Sequence, residues 1–249
     1  MSKLPNAPLV EVIYEIRWDS STPEALNKFD LLLGNMHSKL HEDFPNLRNL
    51  KPDPQIPHIV FLNQTTHRFS SNKNPKNYPL YQLGPGVLSV NTIDDYYEWE
   101  NFHDLILRVT NTFLDIYSFN PTDKITVSLK YIDFYEVRAE DVNLYTYLRD
   151  NFHINIQSSV LPVAEKPNFV NFSVAHKEEF GTLSLNISTA SLEIVGSKKN
   201  GLIIDSTLTR INIANQFNLF IEKWTNNAHT YLGDFFRKLT EGEMFNSFK

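Results

Sequence analysis

The chain has 249 residues, of which 41% are hydrophobic and 13% aromatic, and this content excludes disorder caused by a lack of apolar side chains. The formal net charge is −6, from 23 basic and 29 acidic residues, which disfavours a surface built for nucleic acid. The absence of cysteine excludes disulfides, thiolate metal sites and a cysteine nucleophile.

The first residues, MSKLPNAPLVEVIYEIRW, lack the long apolar segment of a signal peptide. The sequence also contains no run of about 18 apolar residues, which is the length that a membrane-spanning helix needs. We therefore expect a cytoplasmic protein that does not cross a membrane.

The first two predicted elements are a strand and a helix. Apolar and charged residues alternate from Leu9 to Trp18, which predicts a half-buried strand. The segment Ser21-Thr22-Pro23-Glu24 is typical of a helix start, and apolar residues three and four apart then continue to about His41. Four prolines between Phe44 and Pro57 predict a connection without regular structure.

Three strands, a helix and a further strand follow. The turn Gly84-Pro85-Gly86 separates two of the strands, and Asp94 with Asp95 is expected to cap the helix. A bulge or a change of face is expected near Tyr131 to Phe134. The predicted elements are strands at His58 to Ser70, Tyr78 to Leu83 and Val87 to Ile93, a helix at Asp95 to Tyr117, and a strand at Lys124 to Val137.

The remaining pattern predicts a short helix, four strands and a long helix with many aromatic residues. These elements are a helix at Leu144 to Phe152, strands at Ile154 to Val160, Phe169 to Glu178, Gly181 to Ser188 and Leu202 to Ile211, and a helix at Asn212 to Leu239.

Consecutive strands with segregated helices are typical of the α+β class. We predict antiparallel, strand-rich sheets in two similar halves, each packed by a long aromatic-rich helix. The corresponding lobes are residues 1–138 and 139–249, which pack intimately, and a single domain is the alternative. Whether the halves arose by duplication stays open, because no residue-level repeat is visible.

Four segments carry a resemblance to a known family. They are APLVEVIYEIRW (Ala7 to Trp18), LSVNTIDDYYEWENF (Leu88 to Phe102), LKYID (Leu129 to Asp133) and AHTYLGDFFRKLT (Ala228 to Thr240). The chain resembles an uncharacterised, sporadically distributed prokaryotic family of about 250 residues that opens with an APxxEVxxEIR(F/W) motif. Lys130 and Asp133 depart from that family's more frequent Arg-Tyr-Ile-Asn strand.

The resemblance implies no catalytic residues, because the family has none assigned. Its patchy distribution implies horizontal transfer, as in mobile-element or host-defence gene cassettes.

Several side chains are candidates for chemistry, and each has a structural alternative. His37 and His41 share a helix face, as zinc ligands do, but no third ligand follows them. Neither a phosphate-binding loop nor a nucleophile elbow is present. We predict no metal site, no cofactor and no catalytic residue. The candidate ligand-binding or partner-binding residues are Trp99, Glu100, His103, Trp224 and His229, with the edge of the core as the alternative for the histidines.

These observations favour a non-enzymatic interaction module, an accessory subunit that binds a protein partner or itself in a horizontally transferred gene cassette with a defence role. The first alternative is a small-molecule or lipid-binding protein with an apolar pocket between sheet and helix. The second is an unrecognised hydrolase or nuclease that uses Asp95, Glu100 or His103, so enzyme status is uncertain and leans towards no.

Overall fold

The computed structural model describes residues 4–138, 140–160, 165–194, 197–213 and 217–249. In this part of the chain there are nine β-strands, five α-helices and two short 3-10 turns at His58–Phe61 and Asp94–Tyr96. The strands and helices are β1 (Leu9–Trp18), α1 (Pro23–Leu40), β2 (Asn46–Asn49), β3 (His67–Ser70), β4 (Leu80–Gly84), β5 (Val87–Ile93), α2 (Trp99–Ile116), β6 (Lys124–Glu136), α3 (Leu144–Phe152), β7 (Asn171–Glu178), β8 (Gly181–Ile194), β9 (Ser197–Ile213), α4 (Phe217–Leu239) and α5 (Glu243–Asn246).

The nine strands form one sheet in the order β2-β3-β4-β5-β1-β6-β9-β8-β7. The pairs β1–β5, β2–β3, β3–β4, β4–β5 and β7–β8 are antiparallel. The mixed helix and strand content with a large antiparallel sheet confirms this part of the α+β prediction. Among the described residues, no helix is both long enough and apolar enough to cross a membrane.

The chain forms two compact units, each built from separate segments. The first unit consists of Glu11–Lys130 and Thr209–Asn227. The second unit consists of Met1–Val10, Tyr131–Leu208 and Ala228–Lys249. The lobe boundary at residue 138 stays a prediction.

The core of the first unit lies between one face of its strands and the helices α1 and α2. Tyr14 of β1 is opposite Val90 of β5, which is opposite Tyr81 of β4, and all three are fully buried. Aromatic contacts hold the helices on this face. Trp18 packs against Phe113 of α2 with ring centroids 4.9 Å apart. The even-numbered residues of β1 from Val12 to Trp18 therefore face the helices, in agreement with the alternation that predicted this strand.

Helix α1 begins as its sequence indicates. The Thr22 side chain accepts a hydrogen bond from the backbone N–H of Ala25 at 3.2 Å, and Pro23 occupies the first turn, where it needs no N–H partner.

The core of the second unit is built around the tyrosine ring near the end of β6. Tyr135 contacts Phe152 of α3 edge to face, with centroids 4.7 Å apart, and lies 6.2 Å from Phe248 near the C-terminus. Asn143 caps α3 by accepting hydrogen bonds from the backbone N–H groups of Tyr145 and Thr146. Buried leucine and isoleucine side chains complete this core, namely Leu144, Leu148, Leu185, Ile187, Leu202 and Ile204.

Three predictions in the first unit are wrong. The proline-rich connection contains the strand β2, which is short and fully exposed, so that it has no apolar alternation to detect. The predicted strand His58 to Ser70 is a 3-10 turn followed by β3, because the N–H of Val60 bonds back to the carbonyl of Pro57. Asp94 and Asp95 lie in a separate 3-10 turn and do not cap α2.

Further expectations differ from the structure in the second half of the chain. In β6 the buried residues keep odd numbers from Ile125 to Tyr135, so no change of face occurs near Tyr131, and the alternative of a bulge stays a prediction. The segment 154–160 contains no strand, since its backbone is irregular after His153 ends α3 in a left-handed conformation. The predicted start of the last helix at Asn212 is wrong, because Asn212 and Ile213 belong to β9; residues 214–216 lie outside the described residues.

Candidate functional site

Two of the predicted site residues, Trp99 and His103, lie one turn apart in α2 and are both buried. Their rings stack with centroids 5.2 Å apart. The indole Nε1 of Trp99 donates to Oδ1 of Asn226 at 3.1 Å, and Nε2 of His103 lies 2.9 Å from Oγ1 of Thr225. These four side chains join α2 to the first half of α4, and their polar atoms are directed at one another.

Trp224 and Glu100 do not join this cluster as ligand-binding groups. Trp224 is 2% exposed and stacks on Phe220 at 6.0 Å, so it belongs to the core. Glu100 is exposed on α2. Neither residue therefore forms a binding surface with Trp99 and His103.

His229 lies in the second unit, where its Nδ1 is 2.8 Å from the hydroxyl of Tyr131. Tyr131 belongs to the LKYID segment and His229 to the AHTYL segment, so the fold brings two of the resembling motifs into direct contact. Asp133, two residues further along β6, is 5% exposed. This pair fixes the start of the second half of α4 against β6.

His37 and His41 point in the same direction on α1, as their spacing predicts. Nδ1 of His41 is 3.1 Å from Nε2 of His37, and both are on the exposed side. In the part of the chain that the structure describes, no group of three or more His, Asp or Glu side chains is arranged to hold a metal ion.

A different arrangement, absent from the sequence predictions, lies on the face of the first unit's strands opposite α1 and α2. Residues directly opposite one another on neighbouring antiparallel strands share a face. The observed register therefore aligns five polar side chains across five strands. We call this set the polar row, and it consists of Arg48, Arg68, Gln82, Ser89 and Glu15.

The two ends of the polar row carry opposite charges. At one end, Arg48 of β2 is directly opposite Arg68 of β3. At the other end, Glu15 receives two hydrogen bonds from Arg17, at 2.5 and 3.0 Å, so its charge is compensated. Ser89 in the middle is 4% exposed, and its hydroxyl donates to Oδ1 of Asn91 at 2.9 Å.

A second polar group lies beside the row. The Glu11 carboxylate accepts a hydrogen bond from Nδ2 of Asn91 at 2.9 Å and lies 3.4 Å from the hydroxyl of Tyr78. Burial, and then the nearby Glu11 charge, raise the pKa of Tyr78 to about 12, while Arg68 acts in the opposite direction. The Tyr78 hydroxyl therefore keeps its proton at neutral pH and donates it to Glu11.

The sequence missed the polar row because β2 was predicted to be a connection. Without β2, Arg68 has only Gln82 of β4 as a cross-strand neighbour, and Arg48 is interpreted as a solvated loop residue. The signal that could have revealed it is the alternation in HRFS and LYQLG, which places Arg68 and Gln82 on the same side.

The comparisons with known proteins add little. No protein-family model matches the chain, and no curated protein matches it either. Among solved structures, the chain is similar to the di-domain ARO/CYC StfQ from the steffimycin biosynthetic pathway, at 11% identity, with 93% of this chain and 97% of that chain covered. The TM-score is 0.19, so this likeness carries no argument about fold or function.

Proposed function

We propose that the protein is a non-enzymatic interaction module that associates with a second copy of itself through the edge strand β7. The observation that supports this proposal is that β7 is a long edge strand. It is the last in the sheet order, and its eight residues pair with β8 on one side only. The backbone groups on its other side face no strand among the described residues, and such groups readily pair with another chain.

The usual protection of a sheet edge is missing from β7. Edge strands are commonly shortened, bulged, or interrupted by proline and charge. Strand β7 pairs with β8 without a break from Asn171 to Glu178, contains no proline, and has its charged residues only at the end. The opposite edge, β2, has four residues and is flanked by Pro45 and Pro52.

The sequence of β7 suits antiparallel pairing with itself. With Val174 on the two-fold axis, Phe172 is opposite His176 of the second copy, and Ser173 is opposite Ala175. Asn171 then meets Lys177, so no two like charges are directly opposite. The exposed ring of Phe169, 72% accessible just before β7, lies where the second copy would cover it.

Charge substitutions on the exposed face of β7 test this proposal. Ser173 and Ala175 are both exposed, so lysine at both positions preserves the core but places like charges opposite one another across the axis. Light scattering after size-exclusion chromatography should give about twice 28.9 kDa for the wild type and 28.9 kDa for the Ser173→Lys/Ala175→Lys variant.

A complementary variant makes the result specific. Ser173→Glu/Ala175→Glu should also be monomeric, and an equimolar mixture of the lysine and glutamate variants should restore the dimer. The control, Asn101→Lys/Asn111→Lys, adds the same charge on the exposed side of α2 and should stay dimeric. A monomeric wild type, or a mixture that fails to dimerise, would overturn the proposal.

The finer features of the sequence prediction remain part of this proposal. They are two similar halves, each with an aromatic-rich helix, and a partner encoded in the same gene cassette. Small-molecule binding in an apolar pocket and hydrolysis by Asp95, Glu100 and His103 are the alternatives. The hydrolytic alternative is disfavoured because His103 is buried and its Nε2 is hydrogen-bonded to Thr225, whereas Asp95 and Glu100 are exposed on the surface. The three side chains therefore do not face a common substrate.

A further inference from the structure

We propose that Arg48, Arg68 and Gln82 form a binding site for the phosphate group of a small phosphorylated metabolite. Arg48 and Arg68 are directly opposite on β2 and β3, which is an arrangement that destabilises a sheet when the charges have the same sign. A chain that keeps two such charges side by side gains nothing in stability from them.

Neither arginine pairs with an acidic side chain in the described part of the chain. Among the residues that the structure describes, none hydrogen-bonds or ion-pairs with the side chains of Arg48 and Arg68, although the chain has 29 acidic residues. The Nε atom of Arg68 is enclosed and has no hydrogen-bond partner in the described part of the chain. A half-buried guanidinium without an acceptor is costly, which indicates that an acceptor from outside the chain completes it.

An amide next to the arginines adds a neutral donor. Gln82 is directly opposite Arg68 on β4, and no described residue hydrogen-bonds with its amide side chain. Two guanidinium groups and an amide form a set of donors suited to one multivalent anion.

The charge of this donor set matches a phosphate monoester. Two arginines carry two positive charges, and a phosphate monoester carries about −1.5 to −2 at neutral pH together with three strong acceptor oxygens. Guanidinium groups bind such oxygens in a planar, bidentate geometry that lysine cannot reproduce. A single carboxylate, with one negative charge and two oxygens, would match the charge and the donors of two arginines less completely than a phosphate monoester.

The rest of the polar row indicates a small ligand and disfavours a polyanion. Glu15 and Glu11 lie at the far end of the row and beside it, where they would repel a second phosphate. With strands about 4.8 Å apart, the distance from β2 to β5 is about 14 Å, which is the length of a small metabolite. The remainder of the ligand is therefore uncharged.

Titration with inorganic phosphate and with glycerol 3-phosphate tests the site. At about ten times its Kd, either probe should raise the thermal midpoint of the wild type by roughly 3–6 °C, whereas acetate at the same ionic strength should not. Calorimetric titration should show that Arg68→Gln and Arg48→Gln each weaken phosphate binding by about tenfold or more.

Two further variants make the test decisive. Arg68→Lys keeps the charge and should bind more weakly than the wild type but more tightly than Arg68→Gln. Arg149→Gln removes a surface arginine that pairs with Asp150 and should bind as the wild type does. If Arg68→Gln fails to fold, Arg48→Gln still tests the site, because position 48 is exposed and its substitution leaves the core intact.

Three results would overturn the proposal. The first is equal stabilisation by acetate and phosphate, and the second is undiminished phosphate binding in both glutamine variants. The third is tighter binding of a single-stranded oligonucleotide than of glycerol 3-phosphate, which would assign the arginines to a polyanion. A rise in the ligand-free thermal midpoint of Arg48→Gln at low salt would support the like-charge argument, and a fall would contradict it.

Discussion

The Nε2 atom of His103 in α2 lies 2.9 Å from the hydroxyl oxygen of Thr225 in α4, and both residues are buried. Thr225→Val replaces that hydroxyl with a methyl group of similar size and leaves the imidazole nitrogen with only the amide of Asn226, at 3.3 Å. We expect a loss of about 1–2 kcal/mol in the free energy of unfolding, because a buried polar atom loses its best partner. Urea denaturation at pH 7 measures this loss.

The matched control is Thr112→Val in α2. The hydroxyls of Thr225 and Thr112 both donate to the carbonyl four residues earlier, of Ile221 at 2.8 Å and of Arg108 at 2.9 Å. The side chain of Thr112 is partly exposed, however, and bonds to no second helix among the described residues. This variant should stay within about 0.5 kcal/mol of the wild type. Equal losses in the two variants would show that the hydroxyl of Thr225 matters only within its own helix.

Acid should destabilise the protein through His67, which is 7% exposed under α1. Burial, and then the charges of His58 and Lys51, lower the pKa of His67 from 6.5 to about 4. The unfolded chain therefore binds more protons than the folded chain between pH 6.5 and 4. The contribution to stability is complete above pH 6.5 and is lost as the pH falls to 4, by roughly 3 kcal/mol in total.

The variant His67→Asn tests the assignment of this acid effect. Asparagine keeps a polar atom for the Thr66 hydroxyl, which lies 3.0 Å from Nδ1 of His67, but it does not titrate. The free energy of unfolding should then vary less between pH 7 and pH 4.5. His153→Asn is the control, because His153 is exposed and its left-handed backbone also suits asparagine. A pH profile that is unchanged in His67→Asn would assign the acid effect to other groups.

The elements with strong local signals could be predicted from the sequence. β1, β5 and α3 have the bounds that alternation, the Gly-containing turn and helical periodicity indicate. β2 could not be predicted, since its four exposed residues form a strand only because β3 offers them an edge. Its partner lies about 20 residues away along the chain, and such pairing leaves no local pattern.

The two candidate sites differ in the same way, since the Trp99–His103 cluster has a signal in the sequence and the Arg48–Arg68 pair has none. Trp99 and His103 attract attention in a sequence because they are rare residue types on one helix face, yet the fold uses their polar atoms to join α2 to α4. Arg48 and Arg68 have no motif around them. Their relationship exists only in the register of β2 against β3, which no periodicity specifies.

Two phenylalanines of the second unit should respond differently to truncation. Phe152 is 1% exposed with its ring 4.7 Å from that of Tyr135, so Phe152→Ala should lower the free energy of unfolding by about 3–5 kcal/mol. Phe169 is 72% exposed, so Phe169→Ala should change the stability of the monomer by less than about 0.5 kcal/mol. Urea denaturation at low protein concentration separates these effects.

Phe169→Ala should nevertheless weaken self-association, because the ring lies beside the proposed β7 edge. Sedimentation equilibrium of Phe169→Ala and the wild type measures the dimer dissociation constant directly. An unchanged constant would place the ring outside the interface, whereas a large loss of monomer stability would show that Phe169 belongs to the core.

Two glycines should respond in opposite directions to alanine. At Gly84, the last residue of β4, an added Cβ would lie 1.8 Å from the backbone oxygen of Gln64. The segment around Gln64 is held in place by backbone hydrogen bonds from Asn63 to Pro85 and from Thr66 to Leu83, both 2.8 Å, so it cannot move aside without breaking them. Gly84→Ala should therefore cost about 2 kcal/mol or more in the free energy of unfolding.

Gly34 is the matched comparison, since it lies in the middle of α1, is exposed, and has no heavy atom within 4 Å of an added Cβ. Gly34→Ala should stabilise the protein by about 0.5–1 kcal/mol, because alanine restricts the unfolded chain and favours the helix. Chemical denaturation of the two variants gives both values under the same conditions. If Gly84→Ala were as stable as the wild type, the close approach of Gln64 to β4 would have to be wrong, and with it the turn that holds β4 and β5 in register.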